Sequence, residues 1–301
     1  MPEMYNVFQK FIRMKPGLDP RFSYNFLGVK TRKAFVESDS GNPSPASPLT
    51  ATLSKDDLIP VNYPAYDEEY WEWIDLLESV VAAKKKFVMM ELGAGYGRWL
   101  INGALAVRQY HGAEFPVYLV GVEAEPTHFE WMKQHFLDNG LDPSAHRLVQ
   151  NALDNQHHEV EFYIKHPTLK GAADWYGQAI ARKRIFSATG FGTVRMNTVT
   201  LRDLLGELEY VNLIDIDLQG KEYDVVKDSI DGLCEKARRL HIGTHGFLIE
   251  WKLRRLFKKH GWKCAADFRR GKKAATQYGE MLFEDGVQSW VNPVFIEASC
   301  E

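Results

Sequence analysis

The sequence contains no long apolar run. None of its stretches approaches the ~18 consecutive apolar residues that a membrane-spanning helix needs. The first residues mix Glu3, Lys10, Arg13 and Lys15 with apolar positions, so they lack the continuous apolar segment of a secretory signal. We therefore expect no membrane span and a cytoplasmic protein.

Cysteine and excess positive charge are also scarce. The three cysteines, Cys234, Cys264 and Cys300, are odd in number and far apart, which argues against a disulfide framework and against a zinc site with C-x-x-C spacing. Lys and Arg total 37 against 40 for Asp and Glu, which leaves a formal net charge of −3. Because the chain has no broad positive field to hold a phosphate backbone, we expect no nucleic-acid partner.

Glycine, proline and serine cluster in one place. Residues 39–48 read DSGNPSPASP, a composition typical of a flexible link. This link predicts an N-terminal extension or lid over residues 1–62 and a main domain over residues 63–301. Hydrophobic residues make up 45% of the chain, which is enough for one large core.

Short apolar runs alternate with helical stretches after the link. Six such runs predict strands, at residues 87–92, 117–122, 146–150, 210–217, 239–244 and 262–268. Helices are predicted around them, at residues 67–83, 99–110, 127–139, 223–229 and 247–260. In the first helix, apolar residues recur at three- and four-residue spacing, which places its acids on the opposite face. The alternation predicts an α/β fold with a doubly wound, mostly parallel sheet.

A glycine-rich turn follows the first of these strands. Residues 88–97 read VMMELGAGYG, so Glu91 precedes Gly93, Gly95 and Gly97 at the start of a helix. Such a turn lets the backbone approach a nucleotide-like ligand, although a tight turn without a ligand has the same pattern. The spacing is not the G-x-G-x-x-G of dinucleotide sites, which disfavours a nicotinamide-dependent oxidoreductase. Glu91 would repel a pyrophosphate but attract the amino and sulfonium groups of S-adenosylmethionine.

Polar residues follow the next two strands. Glu123 ends the second strand, where a carboxylate can accept both ribose hydroxyls of a nucleotide. Glu125 precedes Pro126 and is instead predicted to cap the following helix. After the third strand, Asn151 and Ala152 either frame the adenine or form an ordinary turn.

These motifs together resemble the FkbM-like class I methyltransferases. The resemblance rests on ELGAGYGRW at residues 91–99, VEAEP at 122–126, VNLIDIDLQGKEYDVV at 211–226 and RRLHIGTHG at 238–246, and it extends over residues 64–268. It implies a seven-stranded sheet, the use of S-adenosylmethionine, and methylation of hydroxyl groups on natural products or glycans. The sequence departs from the common pattern at Asp215, where many members carry Lys, and at Gln219, which is often acidic.

Individual roles follow from the resemblance. It places Gly93, Gly95 and Gly97 at the methionine end of the cofactor and Glu123 on its ribose. Asp217, at the end of the fourth strand, would lie beside the methyl group.

Asp215 and Asp217 fall on one face of the fourth strand, about 7 Å apart. Paired carboxylates can form a general base or a metal site, and they would allow Mg²⁺ without requiring it. The alternative is that Asp217 caps the next helix while Asp215 pairs with a basic residue.

His241 and His245 flank the turn after the fifth strand, at the same sheet edge. Either could take the proton of an acceptor hydroxyl, or be a buried ring bonded to backbone; His245, nearer the loop, is the favoured base.

A long irregular connector is predicted over residues 166–191, between the third and the fourth of these strands. Connectors of this length are often binding loops. Trp175, Tyr176 and Gln178 in it are predicted to enclose the acceptor, although aromatic packing would use the same residues. The chain is thus predicted to be an S-adenosylmethionine-dependent O-methyltransferase for a small molecule, natural product or glycan. A non-catalytic cofactor-binding or scaffold protein, and an oxidoreductase, are the alternatives.

Overall fold

A seven-stranded sheet forms the centre of the fold in the computed structural model, which describes residues 5–15, 17, 19–35, 60–165, 180 and 191–297. Its strands, numbered in chain order, are β1 (Phe87–Leu92), β2 (Val117–Val122), β3 (Arg147–Val149), β4 (Leu213–Ile216), β5 (Arg239–Thr244), β6 (Lys263–Phe268) and β7 (Gly286–Val291). Their order across the sheet is β6-β7-β5-β4-β1-β2-β3. Strand β7 is antiparallel to β5 and β6, and the other neighbouring pairs are parallel, so the predicted doubly wound, mostly parallel sheet is confirmed.

Helices cover both faces of the sheet. One face carries α1 (Tyr70–Val81), α2 (Arg98–His111) and α3 (Pro126–Asp138). The other carries α4 (Leu201–Gly206), α5 (Glu222–Asp228), α6 (Ile230–Lys236) and α7 (Phe247–Lys259). In β1, Met89 packs into the first core and Met90 into the second. Because both faces of this strand are buried, its sequence is a continuous apolar run.

The chain reverses its direction across the sheet at β1. From β1 it moves outward to β2 and β3, and it then returns to place β4 on the other side of β1. In open α/β sheets, ligands bind outside the carboxyl ends of the strands at such a reversal. The register pairs Glu91 of β1 with Asp215 of β4, so these two acids meet at the expected site.

Smaller elements surround the main sheet. They comprise a 3₁₀ helix (Asn6–Lys10), a hairpin of Phe22–Tyr24 with Lys30–Arg32, a second hairpin of Lys272–Thr276 with Gly279–Phe283, a short sheet of Ala152–Leu153, Phe191–Val199 and Glu159–Lys165, and a last helix, α8 (Val294–Glu297). The apolar runs predicted none of them. Within the described parts of the chain, every helix is too short or too polar to span a bilayer.

Three buried polar residues explain where the sequence patterns gave the wrong prediction. The prediction that the acids of the first helix face away from the core was wrong for Asp75, which is only 2% exposed. Strand β7 was not predicted because it buries Gln288 and Ser289. Ser289 Oγ donates to Asp75 Oδ1 at 2.6 Å, and Gln288 Nε2 donates to the Glu250 carbonyl at 3.1 Å. These long-range partners make burial of the polar groups tolerable.

The N-terminal segment packs against the main domain. Phe8 is fully buried, stacks on Tyr70 of α1 with ring centroids 4.9 Å apart, and also contacts Phe26 and Tyr63. Residues 36–59, which include the predicted link, lie outside the described residues. The division at residue 62 remains a prediction.

We expect Phe8→Ala to lower the free energy of unfolding by about 3 to 5 kcal/mol, because it leaves a cavity in a shared aromatic cluster. Ile12→Ala is the matched control, since this side chain is 72% exposed and its loss should change stability by less than about 0.5 kcal/mol. Urea unfolding followed by tryptophan fluorescence measures both. Equal stabilities of the two variants would show that the segment is not part of the cooperative core.

Candidate functional site

Two cavities open at the carboxyl edge of the sheet. The first, which we call the Glu123 cavity, has a volume of about 140 Å³, and the second, which we call the acidic cavity, has about 340 Å³. Residues of the Glu123 cavity include Glu123, Asn151, Ala152, Phe162, Ile180 and Lys221. The two cavities have in common a shared wall, formed by Gly93, Gly95, Asp217 and Gln219. A molecule lying across this wall would contact both cavities.

The glycine turn presses directly against the end of β4. Gly93 has a φ of +85°, and a Cβ on it would overlap the carbonyl oxygen of Asp217. Only glycine fits here. Glycine is needed at position 97 for a different reason, because a Cβ there would lie only 2.8 Å from Met132 Cγ of α3. Gly97 lines neither cavity. Of the three predicted glycines, Gly93 and Gly95 are therefore at the site and Gly97 is a packing residue.

Glu91 is buried beneath the turn and anchors the start of α2. Its carboxylate accepts hydrogen bonds from the backbone amides of Trp99 at 3.3 Å and Leu100 at 3.0 Å. Burial raises the pKa of Glu91 well above its usual range, and the nearby Asp215 raises it further. Its carboxyl group lines the acidic cavity.

Glu123 lies at the end of β2 with its carboxylate against the glycine turn. It accepts hydrogen bonds from the Gly95 amide at 2.6 Å and the Glu125 amide at 2.7 Å. Burial outweighs these bonds and raises the pKa of Glu123 to about 7. Glu125 instead caps α3, accepting from the His128 amide at 2.7 Å, which confirms the capping prediction.

Asn151 and Ala152 also line the Glu123 cavity. Asn151 Nδ2 donates to the Asn197 carbonyl at 2.7 Å, so the short sheet fixes its orientation. Lys221 was not singled out from the sequence, and it lines the same cavity while its Nζ donates to both carboxylate oxygens of Asp154 at 2.9 Å. No local sequence signal joins these two residues, which are 67 positions apart.

The acidic cavity carries many more acids than bases. Its carboxylates belong to Glu68, Glu69, Glu72, Glu91, Asp215, Asp217 and Asp285. Its basic groups belong to Arg98, His241 and His245. Arg98 is already occupied by Glu69, through two hydrogen bonds of 2.7 and 2.6 Å. Several of the buried carboxylates therefore have no basic group to balance their negative charge. Burial raises the pKa of Asp215 to about 7.

His241 is held from behind by a buried acid. Its Nδ1 donates to Asp75 Oδ2 at 2.8 Å, while Asp75 Oδ1 accepts from Arg239 Nη1 and Ser289 Oγ, both at 2.6 Å. This arrangement fixes the orientation of the ring and places a proton on Nδ1. Nε2 faces Glu72, whose Oε1 is 3.9 Å away. His241 thus combines an orienting carboxylate with an available ring nitrogen.

His245 has three carboxylates around it. Its Nδ1 donates to Glu222 Oε1 at 2.7 Å, and its Nε2 lies 3.4 Å from Asp217 Oδ1 and 3.6 Å from Asp285 Oδ2. Burial alone would lower the pKa of His245, but the carboxylates of Asp285, Glu222 and Asp217 outweigh it and raise the pKa to about 10. A ring that keeps its proton at neutral pH has no lone pair for a substrate proton, which disfavours His245 as the base.

The remaining predicted site residues divide into two groups. Asp217 belongs to the shared wall with its side chain 54% exposed, and it does not cap α5, whose N-cap residue is Lys221. The second group, Trp175, Tyr176 and Gln178, lies outside the described residues.

Sequence reasoning missed Glu72 and Asp75 on α1. The signal for them is two acids three residues apart, with Asp75 among the apolar residues Ile74 and Leu76. A charged residue on an apolar helix face is seldom buried without a partner, so this pattern indicates a buried polar contact.

Two groups of side chains, in or next to the acidic cavity, could each hold a cation. They are Glu72 with Asp215 and His241, and Asp217 with Glu222 and His245; within each group the ligand atoms lie within 4.8 Å of one another. Imidazole nitrogen and carboxylate oxygen are both common metal ligands.

The chain is similar to known methyltransferases. The family model of the methyltransferase FkbM domain matches residues 92–267, more than half of the chain. A curated protein of Jannaschia sp. (strain CCS1) with a provisional methyltransferase name is 28% identical over 218 residues, covering 69% of this chain and 73% of that protein. A solved precorrin-6y C5,15-methyltransferase of Geobacter metallireducens GS-15 is 10% identical with a TM-score of 0.41, covering 79% of this chain and 95% of its own. The C-terminal domain of the Rhodobacter capsulatus precorrin-6Y enzyme is 13% identical with a TM-score of 0.38, covering 72% and 86%.

The raised pKa of Glu123 predicts a pH-dependent stability. Between pH 4.5 and about 7 the folded protein binds more protons than the unfolded chain, so the free energy of unfolding falls as the pH rises through this window. The loss reaches about 3 kcal/mol above pH 7 for a pKa displaced from 4.5 to about 7. The side chain in Glu123→Gln cannot titrate. The free energy of unfolding of this variant, relative to that of the wild type, should therefore increase by about this amount between pH 5 and pH 8.

Urea unfolding at each pH measures the difference. The control is Glu130→Gln, whose side chain is 64% exposed and whose stability should follow that of the wild type. Parallel stability curves for Glu123→Gln and the wild type would contradict the raised pKa.

Proposed function

The chain belongs to the methyltransferase FkbM domain family, and we propose that it transfers the methyl group of S-adenosylmethionine to a hydroxyl of a small molecule, natural product or glycan. The observation that carries the proposal is the shared wall. It separates a cavity with a buried carboxylate suited to a ribose from a larger cavity with an oriented histidine. Donor and acceptor can thus approach one another across Gly93 and Asp217.

The Glu123 cavity fits the adenosine part of the cofactor. We assign the ribose hydroxyls to Glu123, and the adenine to the space beside Asn151 and Ala152. Gly93 and Gly95 admit the methionine part because they present no side chain. Bound S-adenosylmethionine supplies a methyl group on a positively charged sulfur, and every other requirement must be met by the protein.

The acidic cavity supports a positively charged donor. Burial and mutual repulsion raise the pKa values of Glu91 and Asp215, and a cation nearby would favour their ionised forms. We therefore keep the assignment of Glu91 to the amino and sulfonium groups, acting through its field rather than through a direct bond, since its oxygens already accept the two α2 amides.

We propose His241 as the base, in place of His245. Asp75 behind its ring would stabilise the imidazolium that forms when Nε2 takes a hydroxyl proton. Asp217, on the shared wall, would position the acceptor beside the methyl group. Trp175, Tyr176 and Gln178 remain proposed enclosing residues.

The same acids indicate which acceptors the cavity would reject. Carboxylates accept hydrogen bonds from neutral hydroxyls but repel phosphates, which disfavours nucleic acid. They would also attract an amine, so an amine acceptor is the second candidate. The Asp75–His241 pair argues against a non-catalytic scaffold, because a scaffold has no need of an oriented base. Mg²⁺ finds no support in the comparisons, and the reaction proposed here does not use it.

Cofactor binding tests the first half of the proposal. S-adenosylmethionine and its demethylated product should both bind in isothermal titration calorimetry, whereas NAD should not. Glu123→Ala should weaken binding by about 1 to 3 kcal/mol, because it removes a charged acceptor from the ribose. Glu130→Ala should bind like the wild type. Saturable NAD binding without any response to the adenosyl ligands would refute the assignment.

Turnover tests the base. With labelled donor and a panel of sugars, polyketides and amines, His241→Gln should lower turnover by ~10² to 10⁴-fold while cofactor affinity stays within twofold. Asp75→Asn should act in the same direction, because an amide does not hold the ring in the required tautomer. His157→Gln is the control, since its ring is 67% exposed. Unfolding curves for each variant separate catalytic loss from misfolding. Full turnover by folded His241→Gln across pH 6 to 9 would exclude His241 as the base.

A further inference from the structure

The second ring nitrogen of His245 is buried and points between two carboxylates. The side chain is 9% exposed, and its Nδ1 is fixed by Glu222, so Nε2 necessarily faces Asp217 and Asp285. Each of these acids also accepts a hydrogen bond from another side chain. Gln219 Nε2 donates to Asp217 Oδ1 at 3.0 Å, and Arg270 Nε donates to Asp285 Oδ1 at 3.0 Å. The Asp285 Oδ2 atom is thereby left directed at His245.

The distances in this group are too long for hydrogen bonds. Nε2 is 3.4 Å from Asp217 Oδ1 and 3.6 Å from Asp285 Oδ2, whereas a charge-assisted hydrogen bond measures about 2.7 to 2.9 Å. Among the described residues, Nε2 of His245 and Oε2 of the fully buried Glu222 have no hydrogen-bond partner. Two ligands bonded at about 2.1 Å to one first-row metal are roughly 3.0 to 3.5 Å apart. The two distances from Nε2 to the carboxylate oxygens are therefore close to the separation of two ligands on one ion.

We propose that His245 Nε2, Asp217 and Asp285 bind a divalent transition-metal cation in the acidic cavity, and that the cation displaces the proton that Nε2 holds when no cation is bound. Glu222 holds the ring from behind, as carboxylates do for metal-ligating histidines, and the Gly220 amide donates to Glu222 Oε1 at 2.9 Å to hold that carboxylate in turn. One imidazole and two carboxylates favour Mn²⁺, Co²⁺ or Zn²⁺ over Mg²⁺ and Ca²⁺, which prefer oxygen ligands alone.

The neighbouring group of Glu72, Asp215 and His241 is less suited to a cation. His241 Nε2 is 3.9 Å from Glu72 Oε1, which is farther than the distances of 3.4 and 3.6 Å from His245 Nε2 to its two carboxylates. The His245 group is therefore the one that the geometry selects.

The location gives the proposed cation a consequence for the reaction. Asp217 belongs to the shared wall, so a cation bound to it would lie in the cavity that receives the acceptor. There it would attract a hydroxyl oxygen and lower the pKa of that hydroxyl. This consequence rests on the proposed function, whereas metal binding itself does not.

The test uses the full chain, stripped with EDTA and desalted, without cofactor or acceptor. Titration with Co²⁺ should give one bound ion per chain with a visible absorption band, and calorimetry should rank Mn²⁺, Co²⁺ and Zn²⁺ above Mg²⁺. His245→Gln and Asp285→Asn should each weaken Co²⁺ binding by at least about tenfold, and Glu222→Gln by about 10 to 100-fold. His241→Gln, in the neighbouring group, should leave Co²⁺ affinity unchanged. Circular dichroism confirms that each variant is folded.

Two results would overturn the proposal. The first is absence of binding up to about 1 mM Co²⁺, Mn²⁺ or Zn²⁺, which would mean that the cluster holds a protonated imidazole only. The second is binding abolished by His241→Gln and retained by His245→Gln, which would move the cation to the Glu72 group. Because the assay contains no methyl donor, either failure is distinguishable from failure of the methyltransferase assignment.

Discussion

The buried carboxylate of Asp75 connects one helix with two neighbouring strands of the main sheet. It lies on α1, accepts from Arg239 and His241 of β5, and accepts from Ser289 of β7. A buried charge of this kind is tolerated only with full pairing, and loss of one partner commonly costs about 3 to 5 kcal/mol. The hydrogen bonds of Asp75 therefore fix the position of a helix on the sheet and also the orientation of the His241 ring, which lines the acidic cavity.

The acids at the strand ends have similar surroundings in sequence but different partners in space. Glu91 is bound by helix amides, Glu123 by a turn amide, and Asp217 lies against a histidine and a glutamine. Asp215 receives no hydrogen bond from another side chain in the described residues. Burial raises the pKa of Glu91, Glu123 and Asp215, and the differences among their partners separate structural from binding roles.

Local patterns predicted the parts of the molecule that local chemistry determines. The bounds of β1, β2 and β5 agree with the apolar runs to the residue, and the Glu125 cap was readable from the adjoining proline. Strand β7 and the role of Asp75 were beyond such reasoning, because their polar groups are satisfied by residues 38 to 214 positions away. The pKa of His245 likewise depends on Glu222 and Asp285, which only the folded chain brings to one ring.

The contact between Gly93 and Asp217 has a thermodynamic meaning. The turn and the segment after β4 touch so closely that a methyl group does not fit between them, and both segments line both cavities. A ligand that displaces this wall from one side changes the shape available on the other. Reciprocity then requires that whatever a ligand in one cavity does to the affinity of the other cavity, a ligand in the second does equally to the affinity of the first. Any such coupling would act across the backbone contact between Gly93 and Asp217.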